Sequence, residues 1–166
     1  MAKKRRVFEQ GHGRKFMVIV DETPEVESAL FYAAARMTHT SGKICLLYVI
    51  EPDNQLWGGV RQVQLEEATN KAKALFRLFR RKLNSAGFEA VVTEDVIREG
   101  SHVEQIIAQI NEDEDIAVLA LGAAVDAKGP GPLVSALLAG SSAGNFPIPI
   151  TIVPGDLTLE DIQALA

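Results

Sequence analysis

The chain of 166 residues holds a single cysteine, Cys45, so it cannot close a disulfide within itself or build a multi-thiolate metal site. Its three histidines, His12, His39 and His102, lie far apart and show neither H-x-x-x-H nor H-x-x-E spacing, which removes the common zinc patterns. No apolar run approaches the roughly 20 residues that span a bilayer. The start, Met-Ala-Lys-Lys-Arg-Arg, has no apolar stretch behind it and does not read as a secretory signal. A cytoplasmic, reducing setting with no membrane contact is the expectation. Repeats and low-complexity linkers are missing too. A chain of this length suits one domain with a core of its own.

Charge is plentiful but uneven. The net charge is −5. Within residues 1–14, Lys3, Lys4, Arg5, Arg6 and Arg14 stand against Glu9, a net of +4 that leaves −9 for the remainder. A basic tail on an acidic body can touch nucleic acid or anionic lipid. A solvated, disordered terminus is the plainer reading.

Five short apolar segments punctuate the rest, at residues 16–20, 44–50, 90–97, 116–121 and 148–153. Four are nearly continuous, as expected of strands buried on both faces of a parallel sheet. The third carries Thr93, Glu94 and Asp95 and reads as an edge strand. Between them lie helical stripes. Val26, Ala29, Leu30, Ala33 and Met37 form the first, with Thr23 as its expected N-cap and Pro24 in its first turn. Ala68, Ala72, Leu75, Phe76, Phe79 and Leu83 form a longer one closed by Gly87. Val103, Ile106, Ile107 and Ile110 follow, with Ser101 as candidate cap, and Leu133, Leu137 and Leu138 begin a fourth. This alternation predicts an α/β fold, an open five-stranded parallel sheet with helices on both faces. The expected layout is a tail at 1–14, a domain at 15–155 and a short acidic, helix-like flap at 156–166.

In such a sheet a ligand binds beyond the C-terminal strand ends, where the strand order reverses. The first strand runs into Asp21-Glu22-Thr23-Pro24 and the second into Glu51-Pro52. The fourth ends at Gly122 and leads into a loop with Lys128, Gly129 and Gly131. Glycines let a backbone approach an anion, and N–H groups at a helix start point toward it. The loop reads as a candidate phosphate cradle or, equally, as a flexible Gly/Pro-rich turn.

Standard signatures fail here. The dinucleotide pattern beginning at Gly129 meets Val134 where its third glycine belongs, and the phosphate-loop pattern beginning at Gly122 has Ala127 in place of its second glycine. Gly140-Ser141-Ser142-Ala143-Gly144 spells G-x-S-x-G, but a helix precedes it and no histidine follows it, so a serine hydrolase is not expected. The acidic run at 111–115 precedes the fourth strand, at the far end of the sheet from the crevice, and reads as a solvated loop. Lys73, Arg77, Arg80 and Arg81 make a basic helix face, and without an exposed aromatic series it does not point to nucleic acid.

Several segments together resemble the universal stress protein family. Residues 16–25, running from the first strand into Asp21-Glu22-Thr23-Pro24-Glu25, look like the family's first strand and its ligand-facing aspartate. Leu46-Leu47-Tyr48-Val49-Ile50-Glu51-Pro52 is similar to its second strand, and Val96-Ile97-Arg98-Glu99-Gly100-Ser101-His102 to its V-x-x-G-x-P approach to the third helix. Pro147-Ile148-Pro149-Ile150-Thr151-Ile152-Val153-Pro154 is similar to its closing strand. The resemblance implies strand order 3-2-1-4-5 and a homodimer paired through the last strand. It also implies a stress-response protein that binds an adenine nucleotide (ATP, ADP or AMP, with or without Mg2+) and does not turn it over efficiently. Asp21 and Thr23 would then contact the base or ribose, Val49 would line the adenine slot, and Gly122, Lys128, Gly129, Gly131 and Ser141 would serve the phosphates. Members that bind ATP share G-2x-G-9x-G-[ST] after the fourth strand. Here Val125 stands at the second glycine, and Gly140-Ser141 arrives late. The triphosphate side is thus rebuilt. A member without nucleotide, acting as a dimeric interaction protein, is the alternative expectation.

Overall fold

The computed structural model describes residues 3–126, 128–139 and 143–166. The order is β1 (Lys15–Ile19), α1 (Val26–Thr38), β2 (Lys43–Ile50), α2 (Gly58–Ser85), β3 (Val92–Glu99), α3 (His102–Glu112), β4 (Ile116–Ala123), α4 (Pro132–Leu138), β5 (Ile150–Pro154) and α5 (Leu159–Leu165). All five strands are parallel, and the sheet runs β3-β2-β1-β4-β5. The strand order therefore reverses between β1 and β4.

The two-residue alternation of a strand divides the core into two layers. Phe16 and Val18 of β1, Ile44 and Leu46 of β2 and Val118 and Ala120 of β4 face α1, α2 and α5. Met17, Ile19, Cys45, Leu47, Leu119 and Leu121 face α3 and α4. Cys45 is a buried packing residue whose thiol burial pushes up to about 12. Each buried Leu or Phe contributes about 1.5–3 kcal/mol over its exposed state, so the central strands hold the sheet by burial on both faces. The polar third strand takes the edge, where Arg80 of α2 donates to Asp95 at 2.6 Å.

Three local expectations change. Thr23 does not cap α1. Glu25 occupies the cap position, and the Thr23 hydroxyl donates to Asp21 instead. The reason is local, because an aspartate two residues earlier closes a tighter turn than a helix cap would.

Within residues 156–166, expected as a short acidic, helix-like flap, the chain forms α5 (Leu159–Leu165), which packs on the α1 side of the core. Ile162 is fully buried among α1-side residues, and Thr158 and Asp161 form a reciprocal capping box.

The basic segment, expected as a solvated terminus, lies against the end of α3. Arg5 Nη1 donates to the carbonyls of Ile110 at 2.7 Å, Asp113 at 3.0 Å and Ile116 at 3.3 Å. His12 Nδ1 sits 2.6 Å from Asp115 Oδ1. A helix C-terminus leaves carbonyls unpaired and favours cations, and the acidic run beside it adds to the attraction.

Candidate functional site

The crevice forms where β1 and β4 diverge. Just past β1, Asp21 Oδ1 accepts the main-chain N–H of Thr23 at 2.8 Å and also its hydroxyl. This turn points the acid into the crevice and then releases the chain into α1.

Across from it, Gly122 lies on β4. A Cβ there would collide with the Glu25 carbonyl, so the absent side chain lets the start of α1 rest on the strand. After β4 the chain tightens into a turn. Ala124 N–H donates to the Pro130 carbonyl at 2.9 Å, Asp126 bridges to Gly129, and Lys128 N–H donates to Asp126 Oδ1 at 2.9 Å. Gly129 (φ 124°) and Gly131 (φ 104°) supply conformations that L side chains resist. Glu25 Oε1 would stand 3.7 Å from a Cβ on Gly131.

Two hollows result. A narrow cleft of about 50 Å³ lies between Asp21, Thr23, Glu25, Gly122 and Gly131. A larger pocket of about 430 Å³ adjoins it through Asp21, Pro132 and Leu133, and is completed by Glu51, Ser101, His102, Val103 and Ala136. Small-molecule pockets run from about 300 Å³ upward, so only the second has room for a nucleoside-sized ligand.

In that pocket Glu51 Oε1 accepts the main-chain N–H of His102 at 3.1 Å and lies 2.6 Å from His102 Nδ1. The His102 side chain, followed by its backbone N–H, holds the Glu51 carboxyl below the usual carboxylate range. Ser101 occupies the α3 cap position without a capping bond from its own side chain. Glu51 does that work from the end of β2.

The structure gathers Asp21, Thr23, Gly122 and Gly131 at the cleft. Val49 is buried with Cys45 and Leu47 in the α3-side core and lines neither hollow. Lys128 is exposed at its turn, and it and Gly129 line neither hollow. Ser141, with the rest of the Gly140-Ser141-Ser142 stretch, lies outside the described residues.

Glu25, Glu51 and His102 are the residues that reading by motif passed over. Glu51 stood at a strand end, which was a usable signal. The approach of Glu25 to Gly131 comes only from folding. Among the described residues no group of three or more His, Cys, Asp or Glu is placed to hold a metal ion. No helix of the described residues is long and apolar enough to cross a membrane. The pocket thus offers carboxylates and a hydroxyl as acceptors, one imidazole, and apolar walls. That set suits a ligand with N–H and O–H donors on a flat apolar body.

The architecture is shared with solved proteins. Universal stress protein UspA from Lactobacillus plantarum superposes with a TM-score of 0.68 at 17% identity, over 84% of this chain and 97% of that one. A universal stress protein in complex with cAMP gives 0.51 at 17% identity, over 86% and 98%. The universal stress protein from Archaeoglobus fulgidus in complex with dAMP gives 0.51 at 13% identity, over 84% and 97%. At such identities these likenesses establish the fold. A sequence comparison with curated proteins finds no match. The sequence pattern of the universal stress protein family matches residues 13–154, and the chain belongs to that family.

Proposed function

We propose that this universal stress protein binds an adenine nucleotide through its adenosine portion, in the pocket at the C-terminal ends of β1 and β2, and does not turn it over efficiently. The observation that carries the reading is the pocket of about 430 Å³ opening beside Asp21 at the point of strand reversal. Asp21 and Glu51 supply acceptors for the adenine amino group or the ribose hydroxyls, and Val103, Pro132 and Leu133 supply apolar walls. Val49 backs this region from within the core. The cAMP and dAMP complexes of related folds support the choice of adenine. Slow turnover follows from the lining. Neither hollow is lined by a lysine or arginine among the described residues, and phosphoryl transfer depends on cations placed at the developing charge.

A role as an interaction protein without nucleotide is the competing reading, favoured by the Glu25 carboxylate beside Gly131. Protein purified without added ligand would be denatured, and the released small molecules identified by chromatography and mass detection. Titration calorimetry with AMP and ATP would follow. Bound or binding adenine compound supports the first reading. Neither release nor heat hands the case to the second.

A further inference from the structure

The geometry points to a charge selectivity in this crevice: it takes adenosine, and each phosphate added to the ligand weakens binding, so that ATP is the poorest of the adenine ligands. This rests on the adenosine-site reading above and concerns the same pocket.

Three carboxylates define the lining. Asp21 belongs to both hollows, Glu25 to the cleft and Glu51 to the larger pocket. His102 is the one lining group that can become cationic among the described residues. It is already hydrogen-bonded to Glu51, so even when protonated it balances that acid alone. Lys128, the cation that the loop carries, lines neither hollow.

Glu25 decides the phosphate side in two ways. Its carboxylate stands against Gly131, the backbone that the loop would otherwise present to an anion, and its carbonyl packs on Gly122. The cleft left between them is narrow, about 50 Å³, so an anion there would lie close to both carboxylates that line it, Asp21 and Glu25. A phosphate entering there would meet acceptors where it needs donors. Like charges in a partly dehydrated cleft repel more strongly than in bulk water. The larger pocket has the opposite character toward a nucleoside, whose amino and hydroxyl groups donate to its carboxylates.

The experiment is calorimetric titration of the full chain, and of the E25Q variant, with adenosine, AMP and ATP in metal-free buffer. The expected order of affinity is adenosine, then AMP, then ATP, with ATP about tenfold or more weaker than adenosine at low salt. Raising the salt should narrow that gap, because screening acts on the repulsion. E25Q keeps the shape and removes the charge, so it should narrow the gap severalfold, with circular dichroism confirming the fold. ATP binding as tightly as adenosine overturns the selectivity and leaves the adenosine site standing. Binding of none of the three overturns the site itself and the selectivity with it. An unchanged gap in folded E25Q also overturns the inference. Should E25Q fail to fold, a wild-type gap that salt does not narrow does so.

Discussion

At the scale of single residues, Gly122 and Lys15 show how much one position can carry. Gly122 has no space for a methyl group, since the Glu25 carbonyl fills it. Gly122→Ala must push α1 off β4 and should cost about 3 kcal/mol, in the range of overpacked cores. Gly129→Ala meets open space and only backbone strain at φ 124°, so it should cost about 1 kcal/mol. Urea midpoints of the two variants check the ordering; equal losses would mean that Gly122 is not a packing glycine.

Lys15 is the other case. Its ammonium donates to Glu94 at 2.8 Å and to Asp113 at 2.7 Å. Burial works against the charge, but these partners outweigh it and raise the group from 10.5 to about 12. A raised pKa means that folding favours the protonated form. The stabilisation is therefore complete below pH 10.5 and is lost as pH rises through about 12. The stability difference between wild type and Lys15→Met, followed by denaturant unfolding, should hold steady at neutral pH and shrink across that window. A difference independent of pH would show that the ion pairs contribute nothing.

At the scale of elements, α3 is held at both ends by side chains from elsewhere. Glu51 from the end of β2 takes the His102 N–H at its start, and Arg5 takes three carbonyls around its end. Arg5→Ala should lower stability by about 2 kcal/mol, as expected for hydrogen bonds from a charged group to partly buried carbonyls. Removing residues 1–14 should lower it at least as much. A thermal melt unchanged by either alteration would restore the reading of a loose tail.

Elements were also where sequence reading did best. The apolar runs of β1, β2 and β4 are continuous because both sheet faces are covered, and that makes them legible without any contact known. The polar third run announced an edge. The N-cap of α1 was misplaced because Thr23 had two partners to choose from, and Asp21 won. The docking of α5 was missed because its burial rests largely on Ile162, which a short acidic segment does not advertise.

At the scale of the whole molecule, β5 closes the sheet on one side with Ile150, Thr151 and Ile152 only half-buried. An apolar parallel edge invites a second strand. The proposal of a homodimer through β5 predicts that sedimentation at micromolar concentration shows a two-chain species, and that Ile152→Pro, which removes a backbone N–H facing away from β4, shifts it toward monomer. A wild-type monomer throughout would exclude this pairing.

The alternation of apolar strands with amphipathic helices determined the parallel sheet by itself, since hydrophobic periodicity is a local property that survives without tertiary contacts. It also put Asp21 at a strand end, because strand length is read directly from the apolar run. The crevice depended on distances between segments far apart in the chain. Glu25 reaches Gly131, Glu51 reaches His102, and Lys128 lines neither hollow. Those relations decide the sign of the charge lining the site. Only the folded chain fixes them, because electrostatic energy depends on separation in space and not on position along the sequence.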